Sequence, residues 1–194
     1  MKRAEEQRLL RRAAAGDRDA CEQCIRAHQD SVYAYLLRLS GRPDVAEDIA
    51  QEAFVRVLMN LDRYDPRYRF STWLFTIARR LYINACQKLK PVYDTDAASS
   101  SWTGARPDLA MDRSEWDTGA RDALQRSLMQ LSPEQREIIV LFHQHDWSIA
   151  QVAEHMGMPE GTVKSHLHRG RRRLRVALAE LEDSLSNRPE GVTL

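Results

Sequence analysis

The amino-acid sequence predicts an all-α protein of two small helical domains joined by a flexible acidic linker, the second domain ending in a helix-turn-helix. Three observations carry this. Apolar residues recur at helical spacing through most of the 194 residues, with no run of the strict alternation that strands show. Residues 91–119 change texture: they are rich in Ser, Asp, Gly and Pro and hold six acids, from Asp94 to Asp117, against two arginines, Arg106 and Arg113. Such a composition buries too little apolar surface to fold by itself. Residues 148–175 spell two short helices around a tight turn, the second crowded with cations.

Residues 5–15 begin a helix that Gly16 and Asp17 interrupt, and a second runs from about Arg18 to Leu39 with Ile25, Val32, Leu36 and Leu39 among its apolar positions. Gly41, Arg42 and Pro43 mark a turn, after which Asp44 can cap a helix reaching about Leu61. DRYDPRYRF, residues 62–70, reads as a loop, and helix resumes from Ser71 until Pro91. The chain thus divides into a helical domain at 1–90, the linker at 91–119 and a smaller helical domain at 120–185 with a frayed tail beyond it.

Within the helix-turn-helix, Ala153 sits where the first helix approaches the second, and Gly157 lies where the turn favours a left-handed backbone. Pro159 suits the start of the second helix, where its missing N–H costs little. Ile149, Val152, Met156, Val163, Leu167 and Leu174 can share one buried face. The other face carries Lys164, Arg169, Arg171, Arg172, Arg173 and Arg175 with His166 and His168, and no acid among them. Such a face neutralises phosphates and presents cations to guanine edges in a major groove.

A second constellation lies in the first domain. Asp44, Glu47, Asp48, Gln51 and Glu52 cluster toward one side of a helix whose other side, with Val45, Ile49, Phe54 and Leu58, can pack inward. Directly after it, Tyr64, Tyr68, Phe70, Trp73, Phe75 and Tyr82 alternate with Arg67, Arg69, Arg79, Arg80 and Lys88. Aromatics that stack on unpaired bases, interleaved with cations for the backbone, suit single-stranded nucleic acid; Trp73, Phe75 and Ile77 fit a core role equally well, which leaves the loop residues as the better contacts.

Composition narrows the remaining classes. Net charge is only +1, so the basic helix is a matter of charge segregation within the chain. No apolar run has the length of a signal peptide or a membrane span, which points to a protein without membrane insertion that works in the cytoplasm. Cys21, Cys24 and Cys86 are too few and odd in number for a disulfide framework, and the C-x-x-C at 21–24 has no second ligand pair at zinc spacing. Neither a phosphate-cradling glycine loop nor a convergent acid/base pair is readable, so no cofactor, metal or enzymatic role is expected.

The order of motifs, D-x-x-Q-E-A-F at 48–54, R-F-S-T-W-L at 69–74, I-A-R-R at 77–80, L-S-P-E-Q-R-E at 131–137 and G-T-V-K-S at 161–165, resembles a bacterial extracytoplasmic-function sigma factor over nearly the whole chain. The resemblance implies that the first domain binds the large subunits of core RNA polymerase through Asp48, Gln51, Glu52, Phe54 and Val55. It implies further that Tyr64, Arg67, Tyr68, Arg69, Phe70 and Ser71 capture a flipped base of the -10 promoter element, with Arg79, Arg80 and Asn84 along the non-template strand. Lys164, Ser165, His168 and Arg169 then read the -35 element, Arg171 and Arg172 hold phosphates, and the acidic linker runs through the cationic active-site path of the polymerase. An anti-sigma factor is the expected restraint on such a chain. His166, Phe142 and Arg80 depart from the pattern of relatives, so promoter sequences do not carry over. Two other readings stay open at this level, an ordinary helix-turn-helix repressor or activator, and a thiol sensor built on the cysteines.

Overall fold

The computed structural model describes residues 3–88 and 115–186, all-helical apart from turns and loops. The chain divides into two compact units, Met1–Gly104 and Ala105–Leu194. Of the segment read as linker, residues 91–114 lie outside the described residues.

The first unit holds α1 (Arg3–Ala14), α2 (Arg18–Ser40), α3 (Pro43–Met59), a 3-10 turn (Leu61–Arg63) and α4 (Phe70–Lys88). The break between α1 and α2 is made by Gly16, at φ 87°, and by Asp17, whose carboxylate accepts from the Ala20 N–H at 3.1 Å and caps α2. Gly41, at φ 67°, ends α2 by donating its N–H to Leu37. Asp44 was the expected cap of α3, but Arg42 holds the cap position and the helix begins at Pro43, two residues earlier than that cap implies, because proline's fixed φ fits the first helical position. The Asp44 carboxylate pairs with Arg42.

α2 is the spine of this unit, and α1, α3 and α4 all pack on it. Val32, Tyr35 and Leu36 of α2, Ala53 and Val57 of α3, and Phe70, Leu74 and Ala78 of α4 are wholly buried. Each of the larger side chains contributes roughly 1.5–3 kcal/mol by leaving water. The Tyr35 and Phe75 rings meet at 4.8 Å, and the Tyr82 hydroxyl donates to the Leu39 carbonyl at 3.0 Å, tying α4 to the end of α2.

The second unit holds α5 (Glu115–Met129), α6 (Pro133–His143), α7 (Ile149–Met156) and α8 (Glu160–Ser186). α5 begins inside the segment assigned to the linker and carries Gly119 within it, a residue that costs a helix about 1 kcal/mol relative to Ala. The stretch from Leu131 to Glu137 is a set of joints. Ser132 caps α6 by accepting from Gln135 N–H, Pro133 starts the helix, and the Gln135 side-chain carbonyl accepts from Arg173 at 3.2 Å. Arg136 is buried and donates to the carbonyls of Leu128, Met129 and Leu131, closing the C-terminus of α5. α8 lies so close to α6 that a Cβ on Gly170 would stand 2.7 Å from Ile139 Cδ1; a glycine permits that crossing.

Candidate nucleic-acid and partner interfaces

α7 opens with a capping box: Ser148 accepts from the Gln151 N–H, and the Gln151 side chain accepts from the Ser148 N–H. It ends at Gly157, whose φ of 66° is the left-handed conformation that the turn favours there. Pro159 stands just before α8 and its carbonyl accepts from Thr162 and Val163, so it acts as the helix lead-in. Val152 and Val163 are wholly buried, Leu167, Ala153 and Met156 nearly so, while Ile149 and Leu174 are half-buried. This anchors the second helix and leaves Lys164, Ser165, His168 and Arg169 around one open depression on its outer side.

The cations on α8 are not equivalent. Lys164 lies 3.7 Å from Glu160, and Arg169 Nε donates to the Ser165 carbonyl at 3.3 Å, which lays the guanidinium along the outer face. The Ser165 hydroxyl donates to the Gly161 carbonyl. Arg171 turns back to α6, donating to His143 Nε2 at 2.9 Å with its guanidinium 5.2 Å from the Phe142 ring. Burial first, then the Arg171 charge, holds His143 below the usual histidine value, which suits an acceptor nitrogen. Arg173 reaches Gln135, whereas Arg172 is exposed. His166 does not share the outer face with His168; it is half-buried with Nδ1 shut away from solvent. Its position, one residue before buried Leu167, turns it toward the packed side.

In the first unit the segment from Tyr64 to Arg69 forms an ordered loop. Asp65 accepts from both the backbone N–H and the guanidinium of Arg67, and this pairing holds its carboxyl below the usual range. The Tyr64 hydroxyl donates to the Tyr68 carbonyl at 2.8 Å, while burial, then Glu6, push that phenol above its ordinary value. From α1, Arg3 donates to the carbonyls of Pro66 and Arg67, and Gln7 donates to Pro66. Arg67, Tyr68 and Arg69 remain exposed, Tyr68 at 53%.

Phe70 lies elsewhere. It is 0% exposed, with its ring 5.1 Å from His28, 5.6 Å from Tyr64 and 6.0 Å from Trp73. Among the residues read as base contacts it is therefore a core residue that supports the loop from below. Ser71 and Arg79 are half-buried, and Arg80 and Asn84 are exposed on α4. An aromatic's place in the sequence cannot distinguish a stacking face from a packing face when, as here, the packing partner His28 comes from another helix.

On α3, Asp48, Gln51 and Glu52 are exposed, with Glu52 2.6 Å from Arg56. Val55 is 50% exposed, but Phe54 is only 7% exposed and forms the floor of a groove between α2 and α3. Ile25, Tyr33 and Leu58 line the same groove, with Asp30 and Glu47 at its edges. The contribution of α2 to this surface was not read from the sequence, because Ile25 shares the helical period of the core-facing Val32, Leu36 and Leu39, and an isolated Tyr33 gives no periodic signal. The thiols are quieter: burial pushes Cys24 up to about 12, and Cys21 points its sulfur at the Ala13 carbonyl. Among the described residues no helix is long and apolar enough to cross a membrane.

Two family models match the chain. Sigma-70 region 2 covers residues 24–91 and Sigma-70, region 4 covers residues 121–174. The extracytoplasmic-function sigma factor SigW of Bacillus subtilis is 33% identical over 183 residues, covering 89% of this chain and 96% of that protein. The sigma factor CarQ of Myxococcus xanthus is 33% identical over 173 residues, covering 89% of this chain and 97% of that one. Among solved structures, the sigma factor RpoE from Bartonella quintana, crystallised with the anti-sigma factor NepR, is 25% identical with a TM-score of 0.62, covering 81% of this chain and 96% of that one.

Proposed function

The chain belongs to the extracytoplasmic-function sigma factors of bacterial RNA polymerase, promoter-recognising factors for transcription initiation, and we propose from that premise how its residues divide the work. Residues 1–90 bind core polymerase and the -10 element, 120–185 bind the -35 element, and the acidic segment 91–119 joins them. The groove beside α3, with Asp48, Gln51, Glu52 and Val55 exposed above Phe54, receives the polymerase, and its acids meet a basic partner surface.

The observation that carries the promoter reading is the pairing, in one chain, of a cationic helix-turn-helix with an ordered loop that offers Arg67, Tyr68 and Arg69 to solvent. Lys164, Ser165, His168 and Arg169 face base edges, and Arg172 with Arg171 meets phosphates. Tyr68 and its cationic neighbours take a base displaced from the -10 duplex, with Arg79, Arg80 and Asn84 along the same strand. Strand opening draws on the binding energy of captured bases, without nucleotide hydrolysis. Each unit alone binds weakly; held together on the polymerase, the two combine through effective concentration.

The reading places the chain in the cytoplasm with its polymerase, restrained by an anti-sigma factor of the kind bound to the Bartonella relative. The experiment is promoter opening in vitro. Purified chain should bind promoter duplex feebly, and with core polymerase it should give specific open complexes without ATP hydrolysis. Tight, specific duplex binding by the chain alone, with no dependence on polymerase, would replace this reading with that of an ordinary repressor or activator.

A further inference from the structure

The loop between Tyr64 and Phe70 has a feature that base capture does not by itself require. None of the residues from Asp65 to Arg69 is buried, so between Tyr64 and the buried Phe70 the loop carries no apolar anchor of its own. Instead its backbone is pinned by hydrogen bonds. The carbonyls of Pro66 and Arg67 accept from Arg3 at 3.3 and 2.9 Å, Pro66 accepts again from Gln7 at 3.1 Å, and Tyr68 accepts from Tyr64. The Tyr68 N–H is closed onto the Asp65 carbonyl at 3.1 Å.

The pins from Arg3 and Gln7 come from α1, which is seated independently of the loop. Leu9, Leu10 and Ala13 bury one stripe of it. Arg3 and Gln7 are one turn apart and share a face with Leu10, as positions i, i+4 and i+7 of a helix must. Because Leu10 is fixed against the unit, the donors of Arg3 and Gln7 are aimed. A loop already ordered by such donors does not lose its conformational freedom at the moment a base enters, and preorganisation of this kind raises affinity without adding a contact.

We propose that Arg3 and Gln7 are positioning residues for promoter opening: through the carbonyls of Pro66 and Arg67 they hold the Asp65–Arg69 loop in the shape that receives an unpaired base. The proposal rests on the base-capture reading of that loop. It assigns α1 a part in recognition although α1 precedes the matched region at 24–91.

The test has two arms. In the free chain, amide hydrogen exchange at Arg67, Tyr68 and Arg69 should accelerate about tenfold or more in Gln7→Ala and in Gln7→Glu, which keeps the shape but removes the donor, with the thermal midpoint unchanged. With core polymerase and a fluorescent adenine analogue in the -10 element, the same variants should lower base unstacking about five- to tenfold, while affinity for polymerase and for -35 duplex stays as in wild type. Arg3→Lys should restore part of what Arg3→Ala loses.

Unchanged exchange in the loop would overturn the clamp whatever the polymerase assay gives. Faster exchange with wild-type base unstacking would overturn its role in opening. If Arg3→Ala weakens all DNA binding uniformly and lowers its salt dependence while both Gln7 variants are silent, Arg3 is a phosphate contact and the proposal is wrong. Failure of the wild-type chain to open any promoter would instead remove the base-capture reading itself, which the exchange arm keeps separate.

Discussion

Glu137 of α6 and His155 of α7 meet in the buried seam beneath the second helix of the helix-turn-helix, Oε1 lying 3.2 Å from Nε2. Trp147 closes the seam, its ring edge-on to His155 at 5.1 Å. The pair ties α7 to α6. Replacing His155 by Ala removes one hydrogen-bond partner of the buried Glu137 carboxylate together with the ring packed on Trp147, and should cost about 1–3 kcal/mol. His155→Gln, which retains a donor, should recover part of it. Urea denaturation followed through Trp147 fluorescence measures both, and equal losses in the two variants would show that ring packing against Trp147, and not the hydrogen bond, carries the effect.

The turn makes a sharper demand. Gly157 stands at φ 66° with no atom within 4 Å of where a Cβ would be placed, so the objection to a side chain there is backbone strain alone. Gly157→Ala should destabilise the second unit by roughly 1–2 kcal/mol, and Gly157→Asn by less, since Asn tolerates the left-handed region. Thermal unfolding gives the comparison. An Ala variant as stable as wild type would mean that the turn relaxes to another conformation.

Burial holds His145 at about 4, well under its ordinary 6.5, with Asp146 offsetting part of the shift. Below pH 6.5 the unfolded chain therefore binds a proton at this site that the folded chain does not. The stability this residue protects is intact above that pH and falls as the pH drops toward 4. His143, also lowered, acts in the same direction. Because His145 is partly open to water, the loss at pH 5 is on the order of 1 kcal/mol. His145→Gln should flatten the stability profile between pH 7 and pH 5; an unaltered slope would place the titrating group elsewhere.

How much of this was legible in the sequence depended on whether the cause was local. Gly157 and the helical periods act within a few residues, and the helices of the first unit and of the helix-turn-helix followed from such signals, whereas the caps at Ser132 and Ser148 emerged only from the structure. The demand on Gly170 comes from Ile139 on another helix, the burial of Phe70 is completed by His28 of α2, and Arg3 and Gln7 reach a loop that follows α3. None of these leaves a periodic trace. His166 shows the same limit at short range: one register step on α8 separates the outer face from the packed one.

On α8 the geometry distinguishes two kinds of cation. Arg169 lies along the open face with Lys164, Ser165 and His168, whereas Arg172 is exposed beyond that depression. Arg169→Ala should lose discrimination at one or two positions of the -35 element, worth about 1–3 kcal/mol if the guanidinium grips a guanine. Arg172→Ala should weaken binding to all sequences alike and reduce the salt slope by about one. Polymerase-bound affinities across a panel of -35 variants decide it, and matching sequence profiles for the two mutants would remove the division.

The -10 loop separates into a contact and its support, and substitution can tell them apart. Phe70 has no exposed surface and sits among His28, Tyr64 and Trp73, so Phe70→Ala leaves a cavity under the loop and should cost about 3–5 kcal/mol of stability. Tyr68 is 53% exposed, and its backbone is held by Asp65 and by the Tyr64 hydroxyl. Tyr68→Ala should leave the unfolding midpoint within experimental scatter and lower open-complex formation by about 1–3 kcal/mol, the worth of one base stacked on an aromatic ring. Tyr68→Phe should restore most of the opening, because the face of the ring and not its hydroxyl meets the base. If Tyr68→Ala opens promoters as wild type does, the captured base rests on the neighbouring arginines, and stacking has no part in the first step of melting.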